Sequence, residues 1–296
     1  VQGNTLYVFD IERRFDQMKN ELVAIRTSDD MLLHGAFFEA DPKQSAAILL
    51  HGAMQNFYTG IGSFLPAMLA ERGYSCLTAN VRGHDLATAP DDNCRKVQGS
   101  IYDVFTDCVL DLNALIEFVN DRGYRKIVLI GHSQAAFKIM YAYGQMKYPQ
   151  VSGLALISPP PSAKEMTTFL TGNKEYERAK LEAQEALARG DEYHLIVCKS
   201  RGNLPFVYAA RAFKSFAEAE DLVNARFLVQ NINCPMLILR GTRDLPPMTR
   251  ELVETMRANS GRPELCELVE IEGASHYYSG CENQLTEALT GWMSRL

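Results

Sequence analysis

Val128-Leu129-Ile130-Gly131-His132-Ser133-Gln134-Ala135-Ala136 reads as an apolar strand that stops at Gly131 and a helix that starts at Gln134. Ser133 is left on the sharp turn between them. A side chain presented on such a strained turn needs small neighbours two residues before and two after it, and those positions hold Gly131 and Ala135. The stretch also suits a plain helix start, because serine is a favoured N-cap. The rest of the chain has to decide between the two readings.

Working outward, Leu22 to Arg26 and Met31 to Phe38 flank the turn-prone Ser28-Asp29-Asp30 and predict a hairpin. Ala46-Ala47-Ile48-Leu49-Leu50 is a continuous apolar run ending in His51-Gly52-Ala53, as expected of a strand hidden on both faces. A helix over Phe64–Arg72, a strand over Tyr74–Ala79, a helix over Ile101–Arg122, a strand over Lys126–Ile130, a helix over Gln134–Met146 and a strand over Leu154–Ser158 follow. In the Ile101 helix the apolar positions share one 3.6-period face, Asp103, Asp107 and Asp111 lie on the other, and Ser100 with Asp103 forms a capping box. The alternation predicts an α/β fold, a mostly parallel sheet flanked by helices.

After Pro159-Pro160-Pro161 the alternation breaks, and Ser162 to about Ala225 reads as helices without a strand. It resumes with a strand at Pro235–Leu239, a helix around Met248–Ala258, a strand at Leu268–Ile271 and a last helix carrying Leu285, Leu289, Trp292 and Met293. This divides the chain into an N-terminal extension (1–20), a core (21–160 and 226–296) and a helical lid insertion (161–225).

A serine hydroxyl is a weak nucleophile at neutral pH and needs a base, which in turn needs an orienting acid. His276 lies in the turn after the Leu268–Ile271 strand, and Asp244 lies in the turn after the Pro235–Leu239 strand. The order Ser133, Asp244, His276, each at a strand's carboxyl end, is that of a hydrolase nucleophile elbow and its partners. Over residues 21 to 296 the sequence resembles the α/β-hydrolase superfamily, in its serine-nucleophile branch. His51-Gly52-Ala53 is similar to the family's oxyanion loop, and Asn80-Val81-Arg82-Gly83-His84 to its R-G-H segment, with asparagine where aspartate is usual. The resemblance implies Ser133 as nucleophile, His276 as base and then acid, Asp244 as its orienting partner, and the N–H groups of Ala53 and Gln134 as oxyanion donors, with Met54 a further candidate. His51, His84 and His132 are expected to orient loops through hydrogen bonds. Met54 and Phe57 beside the oxyanion loop, with Phe206 and Phe213 of the lid's aromatic stripe, are the candidate substrate contacts.

Composition bounds the partner. The 296 residues are 47 % hydrophobic and 22 % charged with a net charge of −6, which suits a soluble domain and disfavours nucleic acid or an anionic membrane. The seven cysteines, Cys76, Cys94, Cys108, Cys198, Cys234, Cys266 and Cys281, form no C-x-x-C pair, so they read as structural thiols in a reducing compartment. No basic-then-apolar leader is present, and a cytoplasmic location is the expectation. Together these readings predict an acyl hydrolase acting on the ester-type bond of a small, largely apolar substrate, with no cofactor and no metal. A thioesterase, a C–C bond hydrolase and a hydrolase-like binding protein with an idle triad are alternatives on the same residues.

Overall fold

The continuous apolar runs become the middle of a sheet. The computed structural model describes residues 20–41, 45–89, 96–202, 205–220 and 222–296. Its elements are, in order, β1 (Asn20–Arg26), β2 (Leu32–Phe38), β3 (Ser45–Leu50), α1 (Leu65–Ala70), β4 (Tyr74–Ala79), α2 (Cys108–Asp121), β5 (Ile127–His132), α3 (Gln134–Met146) and β6 (Val151–Ile157). Then come α4 (Ala163–Thr171), α5 (Asn173–Ala188), β7 (Leu195–Cys198), β8 (Phe206–Ala209), α6 (Ala210–Phe216), α7 (Ala225–Leu228), β9 (Met236–Gly241), α8 (Arg250–Asn259), β10 (Cys266–Ile271) and α9 (Glu282–Met293). Eight strands pair in the order β1-β2-β4-β3-β5-β6-β9-β10, and β2 alone runs against the others. In β3, β4 and β5 nearly every side chain is buried, because helices cover both faces. On one face α2, α3, α7 and α8 pack around Ile48, Leu129, Phe137 and Ile238. On the other, α1 and α9 cover Leu49, Val128, Ile157 and Leu239, with Leu285, Leu289 and Trp292 projecting from α9.

The expected elements of the core are present with shifted boundaries: the strand predicted from Leu154 begins at Val151, the one predicted to end at Ile130 runs to His132, and the largest shift is in a helix. The helix predicted from Ile101 begins as a tight turn over Phe105–Asp107 and is α-helical only from Cys108. No capping box forms at Ser100, because Asp103 pairs instead with Lys138 of α3, Nζ to Oδ2 2.7 Å. Asp111, on the helix face opposite the apolar stripe, is fully buried. Its carboxylate accepts from Arg82 Nε at 2.9 Å and from the Arg82 backbone N–H at 2.9 Å, and the same guanidinium reaches Asp29 and Asp107. A cation brought from the loop after β4 therefore overrides the helix's polar-face pattern.

The insertion between β6 and β9 also departs from expectation. It is not purely helical: Leu195–Cys198 and Phe206–Ala209 pair as an antiparallel hairpin. Strand β7 alternates exposed and buried, so Ile196 and Cys198 join Tyr176, Ala179, Ala183, Phe213 and Ala217 in a small core of the insertion's own. Among the described cysteines, Cys76, Cys108, Cys198, Cys266 and Cys281 are buried, Cys234 is half-buried and all are unpaired, in keeping with structural thiols. Cys94 and the predicted 1–20 extension apart from Asn20 lie outside the described residues. Among those residues no helix is long and apolar enough to cross a membrane.

Breaking a buried ion pair from one side leaves an uncompensated charge, so Asp111→Ala is expected to lower unfolding stability by about 3 kcal/mol. Urea denaturation checks this, and a loss under about 1 kcal/mol would mean that Asp29 and Asp107 alone hold Arg82.

Candidate active site

Four parallel strands, β5, β6, β9 and β10, end side by side, and the loop after each of the first three starts by bonding to the next strand. Ser133 N–H donates to Ile157 O at 2.8 Å, Ser158 N–H to Leu239 O at 2.7 Å and Thr242 N–H to Ile271 O at 3.0 Å. Ser133, Asp244 and His276 leave this carboxyl edge of the sheet from three loops.

At Ser133 the backbone has φ 54° and ψ −121°, a conformation that costs a non-glycine residue of order 1–3 kcal/mol and persists only where its surroundings impose it. The steric reading of the turn holds: a Cβ on Gly131 would stand 2.7 Å from Ala135 O. Helix α3 begins at Gln134, whose N–H belongs to the first turn and has no intrahelical acceptor.

Asp244 and His276 are held together by two layers of contact. In the backbone, a Cβ on Gly241 would lie 2.1 Å from Ala274 O, so only glycine lets these loops touch. Arg243 N–H then donates to Ala274 O at 2.9 Å, and Gly273 N–H to Thr242 Oγ1 at 2.8 Å. In the side chains, His276 Nδ1 donates to Asp244 Oδ1 at 2.8 Å. The Asp244 side chain is fully buried while His276 is 11 % exposed. Leu245 N–H also donates to Oδ1, at 2.7 Å, and Ser158 Oγ donates to Oδ2. Since the Ser158 proton is committed to Asp244, the buried Tyr278 hydroxyl donates to Ser158, at 3.0 Å. Burial alone would raise the Asp244 pKa, but the hydrogen bonds from His276, Ser158 and the Leu245 N–H bring it below the usual carboxylate value. The result is an ionised acid aimed at one nitrogen of the imidazole. The bond from Ser133 Oγ to that ring is not made among the described residues, and catalytic hydrogen bonds are often long before substrate binds.

The other histidines near the site orient loops, as expected from the sequence. His51 accepts from Val81 N–H at Nε2, 3.3 Å, so its proton is on Nδ1, which donates to Gly52 O at 2.8 Å. Burial lowers its pKa to about 4. His132, beside the serine, donates from Nε2 to the His276 carbonyl at 2.9 Å, and its ring lies 4.8 Å from that of His276. Burial, reinforced by His276, lowers its pKa to about 3. His84 bridges Asp85 and Gln98. Asn80, the departure from the family pattern, accepts from Phe57 N–H at 2.9 Å and so anchors the loop after β3.

Beside the elbow is a cleft of about 410 Å³, counting its open mouth. Ala53, Met54 and Gln134 form one wall, Phe206, Val207, Tyr208 and Phe216 of the insertion another, and Ser100 and Asp103 complete it. The cleft thus brings both expected oxyanion donors together with Met54 and Phe206. Two of the expected substrate contacts are elsewhere. Phe57 packs against Ala36, Phe38 and Ala70. Phe213 is fully buried within the insertion, its ring 5.6 Å from that of Tyr208, which it backs. An aromatic stripe at helical spacing was a poor guide because Phe206 lies on a strand and Phe213 on a helix. Val207 and Tyr208 were legible only as a short β-branched and aromatic run. Ser158 and Tyr278 carry no motif, and their roles follow from position at strand ends. Among the described residues no cluster of three or more His, Cys, Asp or Glu is set to hold a metal ion.

A model of the alpha/beta hydrolase family matches residues 47–283. No curated protein matches the sequence significantly. Many solved structures share the fold. An esterase of Pyrococcus furiosus is 17 % identical, with a TM-score of 0.67 over 100 % of this chain and 96 % of that one. Est1E from Butyrivibrio proteoclasticus is 17 % identical, with a TM-score of 0.63 over 93 % and 98 %. The alpha/beta hydrolase GrgF from Penicillium sp. sh18 is 15 % identical, with a TM-score of 0.72 over 94 % and 98 %. At these identities the likeness is one of fold.

The neutral histidines carry a pH signature. His51 and His132 have folded pKa values of about 4 and about 3, below the unfolded value of about 6.5. Between those limits the unfolded chain binds more protons, so stability falls as pH falls. From pH 7 to pH 5 the loss is expected to be roughly 2 kcal/mol per histidine. Urea denaturation at the two pH values reads it, and His132→Gln is expected to remove about half the slope; an unchanged slope would place the proton uptake elsewhere.

Proposed function

Since the chain belongs to the alpha/beta hydrolase family, we propose that it is a serine hydrolase cleaving an ester-type acyl bond of a small, largely apolar substrate through an acyl-enzyme. The observation that carries this reading is the 2.8 Å bond between His276 Nδ1 and the buried, ionised Asp244, set at the same sheet edge as the strained turn of Ser133. A residue held at φ 54° with an oriented imidazole nearby has a use in nucleophilic catalysis, whereas a helix cap needs neither.

In this mechanism the Asp244 bond leaves Nε2 of His276 as the basic nitrogen. Ser133 Oγ attacks the acyl carbonyl while Nε2 takes its proton, and the carbonyl oxygen becomes an oxyanion against the N–H groups of Ala53 and Gln134. His276 then protonates the leaving alcohol. Water attacks the acyl-enzyme with Nε2 again as base, which releases the acid and restores Ser133. Asp244 stays ionised throughout and stabilises the imidazolium that forms twice in the cycle. Residues 161–225 act as the lid, and Phe206, Tyr208 and Phe216 with Met54 receive the apolar part of the substrate. Esterase structures among the fold neighbours agree with an ester as the bond cleaved.

Ser133→Ala is expected to lower kcat on a p-nitrophenyl ester by about 10⁴-fold or more, and to abolish labelling by a fluorophosphonate probe. Hydrolysis at the parent rate would overturn the mechanism. Asp244→Asn is expected to cost about as much by presenting the wrong imidazole tautomer. Rates on an acyl thioester and a β-diketone, measured beside the ester, are expected to be lower; a faster thioester or C–C cleavage would change the substrate class but keep the triad.

A further inference from the structure

The cleft contains one feature that the hydrolytic mechanism does not use. Asp103 is on its wall, and the Asp103 side chain is only 7 % exposed. Oδ2 accepts from Lys138 Nζ, whose side chain is 3 % exposed, at 2.7 Å. Oδ1 is buried and has no hydrogen-bond partner. Leaving a charged acceptor buried and unpartnered costs more than leaving a neutral one, so such a group calls for an explanation. An ion pair that served packing alone would be matched or exceeded in stability by apolar side chains of the same volume.

The position of the pair adds a ligand argument. Lys138 is one helical turn beyond Gln134 on α3, so the helix that presents the oxyanion N–H also carries the partner of Asp103. Asp103, Gln134 and Ala53 share one cleft, and the rest of its lining is Met54, Ser100, Phe206, Val207, Tyr208 and Phe216. An acyl group seated with its carbonyl at Ala53 and Gln134 would extend between aromatic walls toward Asp103, whose buried Oδ1 lacks a donor. The charge of that carboxylate is already balanced by Lys138. A cationic group on the substrate would meet the ammonium as well, whereas a neutral O–H gains a charge-assisted hydrogen bond without that repulsion.

We propose that Asp103 Oδ1 is a specificity determinant that accepts a hydrogen bond from a hydroxyl on the apolar, aromatic-compatible acyl group of the substrate. The proposal rests on the acyl-hydrolase reading for the orientation of the ligand, and the two can be tested apart. Ser133→Ala protein is titrated by calorimetry with phenylpropanoic acid methyl esters carrying no ring hydroxyl, a meta hydroxyl or a para hydroxyl. At least one hydroxylated ester is expected to bind about 10- to 100-fold more tightly than the plain one, the range for a hydrogen bond to a charged group. In the same background, Asp103→Leu with Lys138→Met replaces the ion pair by apolar side chains, and the ratio of affinities is expected to fall to about 1. Asp103→Asn keeps the shape and removes the charge, and is expected to cut the ratio several-fold; it serves as the test should the double variant not fold. Equal binding of all three esters to the parent background, no binding by any of them, or a preference that survives in a folded variant would each overturn the proposal. Turnover of the plain ester by protein with Ser133 intact reports separately on the hydrolase reading, because the binding ratio needs no chemistry.

Discussion

The backbone hydrogen bonds that join the strand ends, Ser133 to Ile157, Ser158 to Leu239 and Thr242 to Ile271, are the constraint on which the site depends. The loops after β5, β6 and β9 leave the sheet already tied to the next strand, and the loop after β10 is tied to the one after β9 through Arg243 and Gly273, so the loops cannot shift independently. The sheet order places β5, β6, β9 and β10 next to one another, and residues far apart in the chain meet without a long flexible connection. Gly241 extends this into the loops, since any side chain there would strike Ala274 O. The site's precision is therefore a property of a packed sheet whose central strands exclude water from both faces, the setting in which positioning of a fraction of an ångström can be held.

How much of this was legible in the sequence follows from the kind of signal each feature leaves. Unbroken apolar runs such as Ala46–Leu50 report burial on both faces, and they placed the central strands correctly. The elbow was legible because its steric demand falls on neighbours at fixed spacing. Asp111 was misread because helical periodicity knows only its own helix, while the partner that makes burial tolerable, Arg82, arrives from another loop. The start of α2 was misplaced for a related reason: Asp103 was read as a local cap but is engaged across space by Lys138. The hairpin of Leu195–Cys198 and Phe206–Ala209 was hidden by its four-residue strands, too short for a period to emerge. The support of Asp244 by Ser158 and Tyr278 left no pattern at all, because it depends on which strand ends become neighbours.

The histidines divide the electrostatic work. His51 and His132 are kept neutral by burial and spend their N–H groups on the Gly52 and His276 carbonyls. A protonated imidazole at either position would place a cation in the interior and disturb a loop that carries a site residue. His276 differs in kind: one nitrogen faces a buried carboxylate, and its side chain keeps 11 % of its surface exposed. In the proposed mechanism His276 gains and loses a proton each cycle, which calls for a counter-charge that remains ionised in both states, and the lowered pKa of Asp244 suits it to that part.

Strain and burial explain why the proposed reading assigns specificity and chemistry to different parts of the chain. Of the seven described non-glycine residues with positive φ, Met54, Ser133, Ser158 and Tyr278 are on the loops that build the site. At about 1–3 kcal/mol each, such conformations are sustainable only beside a large, cooperative core, which the eight-stranded sheet provides. The insertion has a small core of its own and no such reserve. It contributes instead a wall of Phe206, Val207, Tyr208 and Phe216, whose backbone is under no comparable demand. Changes in that wall alter what fits in the cleft and leave the hydrogen bonds of the sheet edge untouched. The Asp103–Lys138 pair stands at the junction, anchored in the core through α3, with Asp103 lining the same cleft as that wall. In the proposed reading a polar contact there discriminates between acyl groups without sharing the geometry assigned to activating Ser133.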